Sequence, residues 1–235
     1  MGRAFEYRKA RKMKRWGAMS SAFTRIGKEI AMAVKAGGPD PVSNTRLRVA
    51  IANAKGVSMP KDKVESAIKR AASKDEKDYE EVVYEGYGPH GVAVFVETAT
   101  DNPVRTVANI RMYFNRNGGS MGTSGSLEFV FDRKGVFKFD ATQVTLDDIE
   151  LELIDLGAED IVVEDDEIIV YTSFEDFATM QKGLEERDLH PISAELQRIA
   201  KFTKEIDDDA ALQVEKLLDA IEEDEDVQAV YNNMA

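Results

Sequence analysis

Apolar residues recur every three or four positions in the first part of the chain, a spacing that favours amphipathic helices. A first helix is predicted from a cap at Ser20 or Ser21 to the Gly37-Gly38-Pro39 stop, a second from about Asn44 to Gly56, and a third with Pro60 in its first turn. The apolar stripes of these helices are Phe23, Ile26, Ile30 and Val34; Leu47, Ile51 and Ala54; and Val64, Ile68 and Ala71. Three short helices with narrow stripes predict a small helical bundle.

Beyond residue 81 the pattern changes to short apolar runs, which are typical of buried strands, alternating with helical segments. A charged stretch without periodicity, Ser73–Glu81, predicts a linker at this change. Two β-α-β groups are predicted far apart in the chain. The first is a strand at Gly91–Val96, a helix capped by Asp101 or Asn102 and a strand at Leu127–Phe131; the second is a strand near Ala200–Ile206, a helix from Asp207 to about Glu223 and a strand at Val227–Tyr231.

A complete second pattern lies between these groups. Its elements are a strand at Val136–Phe139, a helix opened by Thr145 and ended by Gly157, strands at Ile161–Val163 and Ile168–Tyr171, a helix capped by Ser173 and Asp176, and a strand at Ser193–Ile199. The order β-α-β-β-α-β is the ferredoxin-like plan. The sequence therefore predicts an α+β protein with a basic three-helix domain at residues 1–78, a discontinuous ferredoxin-like α/β domain at 79–134 and 200–235, and a second one inserted at 135–199.

Charge divides the chain at the same place. Residues 1–78 hold 19 Lys and Arg against 8 Asp and Glu, a net charge of +11, whereas residues 79–235 hold 12 against 36, a net charge of −24. So steep a division indicates a basic part that binds a polyanion and an acidic part that does not. The alternative is that charge only keeps both parts soluble.

Several classes of site are excluded by composition. The chain has no cysteine, which excludes disulfides, thiolate metal sites and cysteine nucleophiles, and its two histidines exclude a three-histidine metal site. His90 and His190 lack an evident catalytic partner, and no catalytic triad or nucleophile elbow is present. We expect no enzymatic activity, no cofactor and no metal. The absence of a long apolar run and of a signal peptide predicts a soluble, cytoplasmic protein without membrane contact.

Two glycine-rich segments are candidates for phosphate binding. Gly86–Gly91 matches G-x-G-x-x-G, but a dinucleotide site needs a strand before the motif and a helix directly after it, so a structural loop is predicted. Gly118–Gly125 lacks the Lys-Ser/Thr of a P-loop. It is interpreted as a mobile loop, with polyanion contact as the alternative. The acidic runs Glu164–Glu167 and Glu222–Asp226 lack the glycine of a calcium loop and are predicted to be solvated.

The basic cluster gives the strongest functional signal. Seven Lys and Arg fall within positions 3–15 against one acidic residue, with no apolar stripe, which indicates an arm that contacts phosphate. Phe5, Tyr7 and Trp16 could stack on bases, although Trp16 could equally anchor the arm to the bundle. The candidate nucleic-acid-binding residues are Arg8, Lys9, Arg11, Lys12, Lys14 and Arg15 in the arm and Arg25, Lys28, Arg46, Arg48, Lys61 and Lys69 in the helices.

Several spaced stretches match, in order, those of one known protein family. They are Asn44-Thr45-Arg46-Leu47-Arg48, Met59-Pro60-Lys61-Asp62, Tyr84-Glu85-Gly86-Tyr87-Gly88-Pro89, Thr100-Asp101-Asn102, and Phe131-Asp132-Arg133-Lys134-Gly135. On these residues the chain resembles the YebC/PmpR family over nearly its whole length. The first seven positions depart from the family, whose usual Gly-His-Ser-Lys-Trp opening has no counterpart here.

The resemblance implies a basic helical domain followed by two α/β domains, one inserted into the other, with no cofactor or catalytic centre. Bacterial members are generally described as DNA-binding transcriptional regulators, whereas related mitochondrial members look like translational activators, and a ribosome-linked role is proposed for bacterial members as well. We therefore expect a regulator of gene expression that binds DNA, with ribosomal RNA or the ribosome as the alternative partner. The acidic domains are expected to shape specificity, meet protein partners or keep the molecule off random nucleic acid.

Overall fold

The computed structural model describes residues 19–73 and 78–235. Its elements, in chain order, are α1 (Met19–Gly37), α2 (Thr45–Gly56), α3 (Lys61–Ala71), β1 (Glu80–Tyr87), a 3-10 turn (Pro89–Gly91), β2 (Ala93–Thr100), α4 (Pro103–Arg116), β3 (Ser120–Met121), β4 (Phe131–Asp140), α5 (Leu146–Asp155), β5 (Ala158–Glu164), β6 (Glu167–Ser173), α6 (Phe177–Glu186), β7 (Ser193–Ala200), α7 (Asp208–Glu222) and β8 (Val227–Asn232). The strands form two antiparallel sheets, ordered β3-β1-β2-β8 and β5-β6-β4-β7. The predicted α+β fold class is confirmed. Within the described residues, no helix combines the length and apolar character needed to cross a membrane.

The predicted three-helix bundle forms from α1, α2 and α3, here termed the helical module. Ile30 and Leu47 are fully buried at its centre, in the stripes that the periodicity predicted. Asn44 accepts a hydrogen bond from Leu47 N at 3.0 Å, and its amide donates to the carbonyls of Ala33 and Gly38 at 2.7 and 2.8 Å. One side chain thus caps the start of α2 and satisfies carbonyls at the end of α1, which fixes how the two helices meet.

Residues 131–200 form the inserted module, which has the predicted β-α-β-β-α-β order and the strand arrangement of a ferredoxin-like sheet. Helices α5 and α6 pack on one face of this sheet. The core residues between them and the sheet are Phe137, Phe139, Ile149, Leu153, Ile168, Val170, Met180 and Leu184. The spacing of these residues in the sequence was sufficient to predict every element of the module.

Residues 78–130 and 201–235 form the outer module. Its sheet has four antiparallel strands, like the inserted sheet, but the chain connects these strands in a different order. The first strand of the outer module, β1, lies between β2 and β3. The corresponding position in the inserted sheet, between β4 and β5, is taken by the third strand of that module, β6. The predicted strands at Leu127–Phe131 and Ala200–Ile206 are wrong. Residues 124–130 form turns, and in residues 201–206 only Lys204 makes an isolated bridge, to Met234. The sheet is completed instead by β3 and by β1, which overlaps the predicted linker.

The apolar run that suggested a strand at Leu127–Phe131 has another cause. Leu127, Val130 and Phe131 are buried because they cover the face of the outer sheet opposite to α4 and α7. The Phe131 ring meets the Phe95 ring edge-on at 5.8 Å between centroids, and the Arg198 guanidinium lies 4.2 Å from the centroid of Phe95. A turn segment therefore fills the space between the two sheets.

Helix α2 docks the helical module onto β7, an edge strand of the inserted sheet. The Asn53 amide donates to the Ala194 carbonyl at 3.0 Å and accepts from the Ala194 N–H at 2.9 Å, so it pairs with β7 as a neighbouring strand would. A Cβ atom added at Gly56 would lie 1.9 Å from the Ile192 carbonyl oxygen. The close approach of α2 to this strand therefore requires glycine at position 56.

The predicted boundary of the inserted domain, residues 135–199, stays a prediction that a deletion can test. With a short turn closing the gap, the remaining chain is expected to fold and melt cooperatively, because both apolar clusters of the outer module are kept. A shorter deletion, residues 135–197, retains Arg198, which covers Phe95 and pairs with Glu97 at 3.2 Å. The free energy of unfolding of this shorter deletion should exceed that of the 135–199 deletion by about 1 kcal/mol. Thermal melts followed by circular dichroism compare the two, and molten, ANS-binding products from both deletions would show that the modules share one core.

Candidate nucleic-acid interface

Half of the predicted phosphate-contacting residues lie outside the described residues. They are Arg8, Lys9, Arg11, Lys12, Lys14 and Arg15, together with the aromatic candidates Phe5, Tyr7 and Trp16. The other six basic residues lie on α1, α2 and α3. The structure places two of them against the outer module, two in ion pairs at module contacts and two on the exposed sides of α3.

Lys28 lies on α1 opposite the apolar stripe, and the outer module covers this face. Its ammonium donates to the carbonyls of Ala99 (2.9 Å) and Glu225 (2.7 Å) and to Asp226 Oδ1 (2.9 Å), and the Tyr79 ring centroid lies 5.3 Å away. All three donors of the ammonium are thus used inside the protein. This buried and fully paired charge holds the helical module to the outer module, so Lys28 has no donor left for a phosphate.

Asp226, next to the start of β8, is the centre of this contact. Its Oδ2 accepts hydrogen bonds from Arg105 at 2.6 Å, Thr106 at 2.8 Å and Thr100 at 3.1 Å, while its Oδ1 accepts from Lys28. Burial alone would raise the pKa of this carboxyl, but the hydrogen bonds from Arg105, Lys28 and Thr106 outweigh burial and lower the pKa to about 2. The carboxylate therefore stays ionised at neutral pH and links α1, β2, α4 and β8.

Arg25 turns to the same side, and its guanidinium donates to the Glu222 carbonyl at 2.9 Å. The acidic run Glu222–Glu225 forms one wall of a pocket whose opposite wall is made by Ser21, Thr24 and Arg25 of α1. This run, predicted to be solvated, therefore faces the first turns of α1. Its negative charge disfavours the approach of a polyanion from the outer-module side.

Arg46 and Arg48 on α2 reach carboxylates of the outer and inserted modules. Arg46 forms an ion pair with Glu81 of β1, and Arg48 pairs with Glu185 of α6 at 3.2 Å while donating to two carbonyls of the α1–α2 loop. The Arg46 side chain is 51% exposed and the Arg48 side chain 33% exposed. Exposed ion pairs are weak, so a phosphate group can replace either carboxylate as the partner of its arginine.

Glu29 of α1 lies near these arginines. Burial raises the pKa of its carboxyl to about 7, and the nearby Glu195 adds to the rise, whereas Arg46 and Arg25 oppose it. The Glu29 carboxyl therefore ionises as the pH rises through neutrality, which adds a negative charge beside Arg46 and Arg25.

Helix α3 carries basic residues that project into solvent. Lys61 is 90% exposed, and its partner is Glu65, one turn further along the same helix at 3.6 Å. Lys69 is exposed too. Within the described residues α3 packs mainly on α1, through the small apolar stripe centred on Ala67. Among the described residues, the basic side chains of α3 therefore lie on the sides of the helix that do not pack on α1.

Sequence reasoning missed two exposed basic residues on the same helix, Lys63 and Arg70. Both lie outside the apolar stripe, and their helical positions were the signal that could have found them. The Lys63 ammonium lies 5.5 Å from the Phe23 ring centroid. Because Phe23 is four positions from the start of α1, this contact places α3 beside the attachment point of the arm. Lys61, Lys63, Lys69 and Arg70 are termed the α3 basic face.

Both glycine-rich segments make hydrogen bonds within the protein. Gly86–Gly91 connects β1 to β2 in a hairpin, in agreement with the predicted structural loop. In the Gly118–Gly125 loop, the N–H of Gly122 donates to the Glu85 carbonyl at 2.7 Å and that of Gly125 to the Glu85 carboxylate at 2.7 Å. The buried Glu85 therefore anchors a segment that the sequence suggested was mobile. In the described ranges, no three His, Cys, Asp or Glu side chains converge as metal ligands.

The chain begins with a basic three-helix module, which is followed by two antiparallel α/β modules, one inserted into the other. This arrangement defines a class of α+β protein with a cationic N-terminal module. The family description "TACO1/YebC protein N-terminal domain" matches residues 3–74, and "TACO1/YebC second and third domain" matches residues 79–234. The chain belongs to the TACO1/YebC family, and the resemblance drawn from its motifs is confirmed.

Curated relatives match the chain from end to end. It is 56% identical to a probable transcriptional regulatory protein of Cytophaga hutchinsonii over 100% of this chain and 99% of that protein. It is 51% identical to a probable transcriptional regulatory protein of Myxococcus xanthus over 100% of both. Among solved structures, it is similar to a conserved hypothetical protein from Aquifex aeolicus, with a TM-score of 0.82 and 37% identity over 93% of this chain and 90% of that one.

Proposed function

We propose that this protein is a non-enzymatic, cytoplasmic regulator of gene expression that binds nucleic acid through the arm and the α3 basic face. One observation carries the proposal: the Lys63–Phe23 contact places Lys63 of the α3 basic face beside the first turns of α1, the helix that directly follows the most basic stretch of the chain. The seven basic residues of positions 3–15 and the four of the α3 basic face make eleven cationic groups within the first 70 residues of the chain. The names of the curated relatives support a regulatory role.

The leading form of the proposal is a DNA-binding transcriptional regulator. Lysine and arginine release counterions from a phosphate backbone, which drives binding without recognition of sequence. The acidic residues after position 78, with the carboxylates of Glu222–Glu225 facing α1, repel the same backbone. The DNA therefore contacts the cationic N-terminal module alone.

The contacts that three helical arginines already make within the protein favour a second candidate, a translational activator or ribosome-associated factor that binds RNA. Base recognition in the major groove relies mainly on arginine with guanine and on asparagine or glutamine with adenine. Arg25, Arg46 and Arg48 already bind protein acceptors, and the α3 basic face consists of three lysines and one arginine. Such a surface suits phosphate more than base edges. Structured RNA adds unpaired bases on which Tyr7 and Trp16 of the arm can stack.

Competition binding at fixed salt distinguishes the two candidates. We expect less than about tenfold preference for any promoter over random duplex, far below the roughly 10³-fold or more of specific DNA binders. The assay measures displacement of a labelled promoter duplex by random duplex and by purified ribosomes. A strong promoter preference without ribosome association would establish transcriptional regulation. Co-sedimentation with ribosomes that is lost when the arm is neutralised would establish the RNA-binding candidate.

A further inference from the structure

The longest stretch of the chain without a basic residue lies in the inserted module. Residues 139–181 contain 14 Asp and Glu and no Lys, Arg or His. They form α5, β5 and β6, so they make up the side of the inserted sheet opposite to β7, the strand that α2 contacts. This acidic side is therefore separated from the proposed nucleic-acid surface by the width of the sheet.

The outer face of α5 combines this charge with exposed apolar side chains. Leu151 is 78% exposed and Ile154 is 52% exposed, whereas Ile149 and Leu153 of the same helix are buried in the core. Residues three apart are neighbours on a helix surface, so Leu151 and Ile154 form one apolar patch. The carboxylates three or four positions from a member of this pair are Asp147, Asp148, Glu150 and Asp155. None of these four forms an ion pair with another described residue.

Strand β5, which contacts α5, has a free edge. It pairs with β6 alone among the described strands, so the backbone groups of its other edge have no strand partner. Val163 of this strand is 53% exposed, and Asp160 and Glu164 are exposed as well. An open strand edge attracts other strands, and acidic side chains limit the partners that it accepts. Two copies of this edge repel each other, whereas a cationic segment is attracted.

We propose that the outer face of α5 and the free edge of β5 form a docking surface for a Lys/Arg-rich polypeptide segment of a partner protein, which packs an apolar side chain against Leu151 and Ile154. The charge excludes nucleic acid and acidic proteins as occupants. The apolar centre favours a polypeptide over a metal ion or a polyamine, because these have little or no apolar surface to bury there. An apolar centre with a charged rim is also the usual anatomy of a protein interface. The protein can then hold nucleic acid at one end and a basic protein at the other.

The test uses the full chain and a fluorescein-labelled twelve-residue peptide of alternating Lys and Leu, followed by fluorescence anisotropy. The variant Leu151→Ser/Ile154→Ser keeps every charge, and it should bind the peptide about tenfold more weakly because the apolar contact is lost. The matched control, Val104→Ser/Leu212→Ser, changes side chains that are 78% and 44% exposed on α4 and α7 and should bind as the wild type does. Thermal melts check that both variants keep the native fold, which their exposed positions predict.

Two further measurements complete the test. Spermidine at equal charge should displace the peptide poorly, and the backbone amides of β5 should exchange more slowly when the peptide is bound. The proposal is overturned if the α5 variant binds the peptide as tightly as the wild type, or if the control variant loses as much affinity. Complete displacement by spermidine at equal charge would likewise show that charge alone attracts the peptide.

Discussion

Replacing the basic arm residues with glutamine is expected to remove most of the nucleic-acid affinity and to leave the fold unchanged. The six positions are Arg8, Lys9, Arg11, Lys12, Lys14 and Arg15. If about six phosphates are contacted, the affinity of the wild type should fall around 10³-fold between 50 and 200 mM salt. The variant should show a much flatter dependence on salt, because fewer counterions are released. Fluorescence anisotropy on a random duplex and on an RNA hairpin, at several salt concentrations, measures both effects.

Two further variants separate the arm from the general effect of charge. Neutralising the α3 basic face should reduce the salt slope by about one unit for each of its groups that contacts a phosphate, and by less than neutralising the arm does. A control with the same number of changes replaces exposed residues of α4, α6 and α7, namely Arg111, Arg116, Lys182 and Lys216. The control should leave the salt slope unchanged, because these residues belong to the outer and inserted modules and not to the proposed interface. Unchanged binding by the arm variant, or a flat salt response of the wild type, contradicts the proposed interface.

The apolar periodicity predicted the inserted module well because each of its elements buries one face in a local core. The stripes with Leu153 on α5 and Leu184 on α6 face a sheet made by their immediate chain neighbours, so periodicity within a short window was enough. The same holds for α1 and α2, whose contact is fixed by Asn44 between them. Such elements depend little on distant parts of the chain.

The outer module was harder to predict because distant segments determine which of its faces are buried. Strand β1 begins with two charged residues, Glu80 and Glu81, and the buried Glu85 within it accepts the Gly125 N–H, 40 positions away, through its carboxylate. Leu127 is buried because the turn segment that contains it packs against Ala93 and Phe95 of β2. Lys28 lies on the side of α1 opposite the apolar stripe, where a charged residue is expected to face solvent. The outer module nevertheless covers that side of α1. No local pattern reveals which polar face another module will cover.

Replacing Asp226 with alanine is expected to destabilise the protein by about 3 kcal/mol, because it leaves the buried Lys28 ammonium without its carboxylate. The Lys28 and Asp226 side chains are only 10% and 6% exposed, so water cannot substitute fully for the lost partner. Chemical unfolding of the variant measures the loss. The matched control is Glu186→Ala, which breaks the Lys182–Glu186 pair, whose side chains are 78% and 62% exposed. Exposed pairs of this kind contribute about 0.3–0.5 kcal/mol, so the control should unfold almost as the wild type does.

The dependence of stability on pH provides an independent check of the same contact. The pKa of Asp226 is near 2 in the folded protein and ordinarily 3.8, so the folded state favours the ionised carboxylate. Its contribution to stability is therefore complete above about pH 4 and is lost as the pH falls from 4 towards 2. Asp226→Asn cannot ionise, so this variant should be less stable at pH 7 and should lose less stability than the wild type over that acidic range. An equal acid-induced loss in both proteins would show that other carboxylates, and not the link between Lys28 and Asp226, set the acid stability of the module contact.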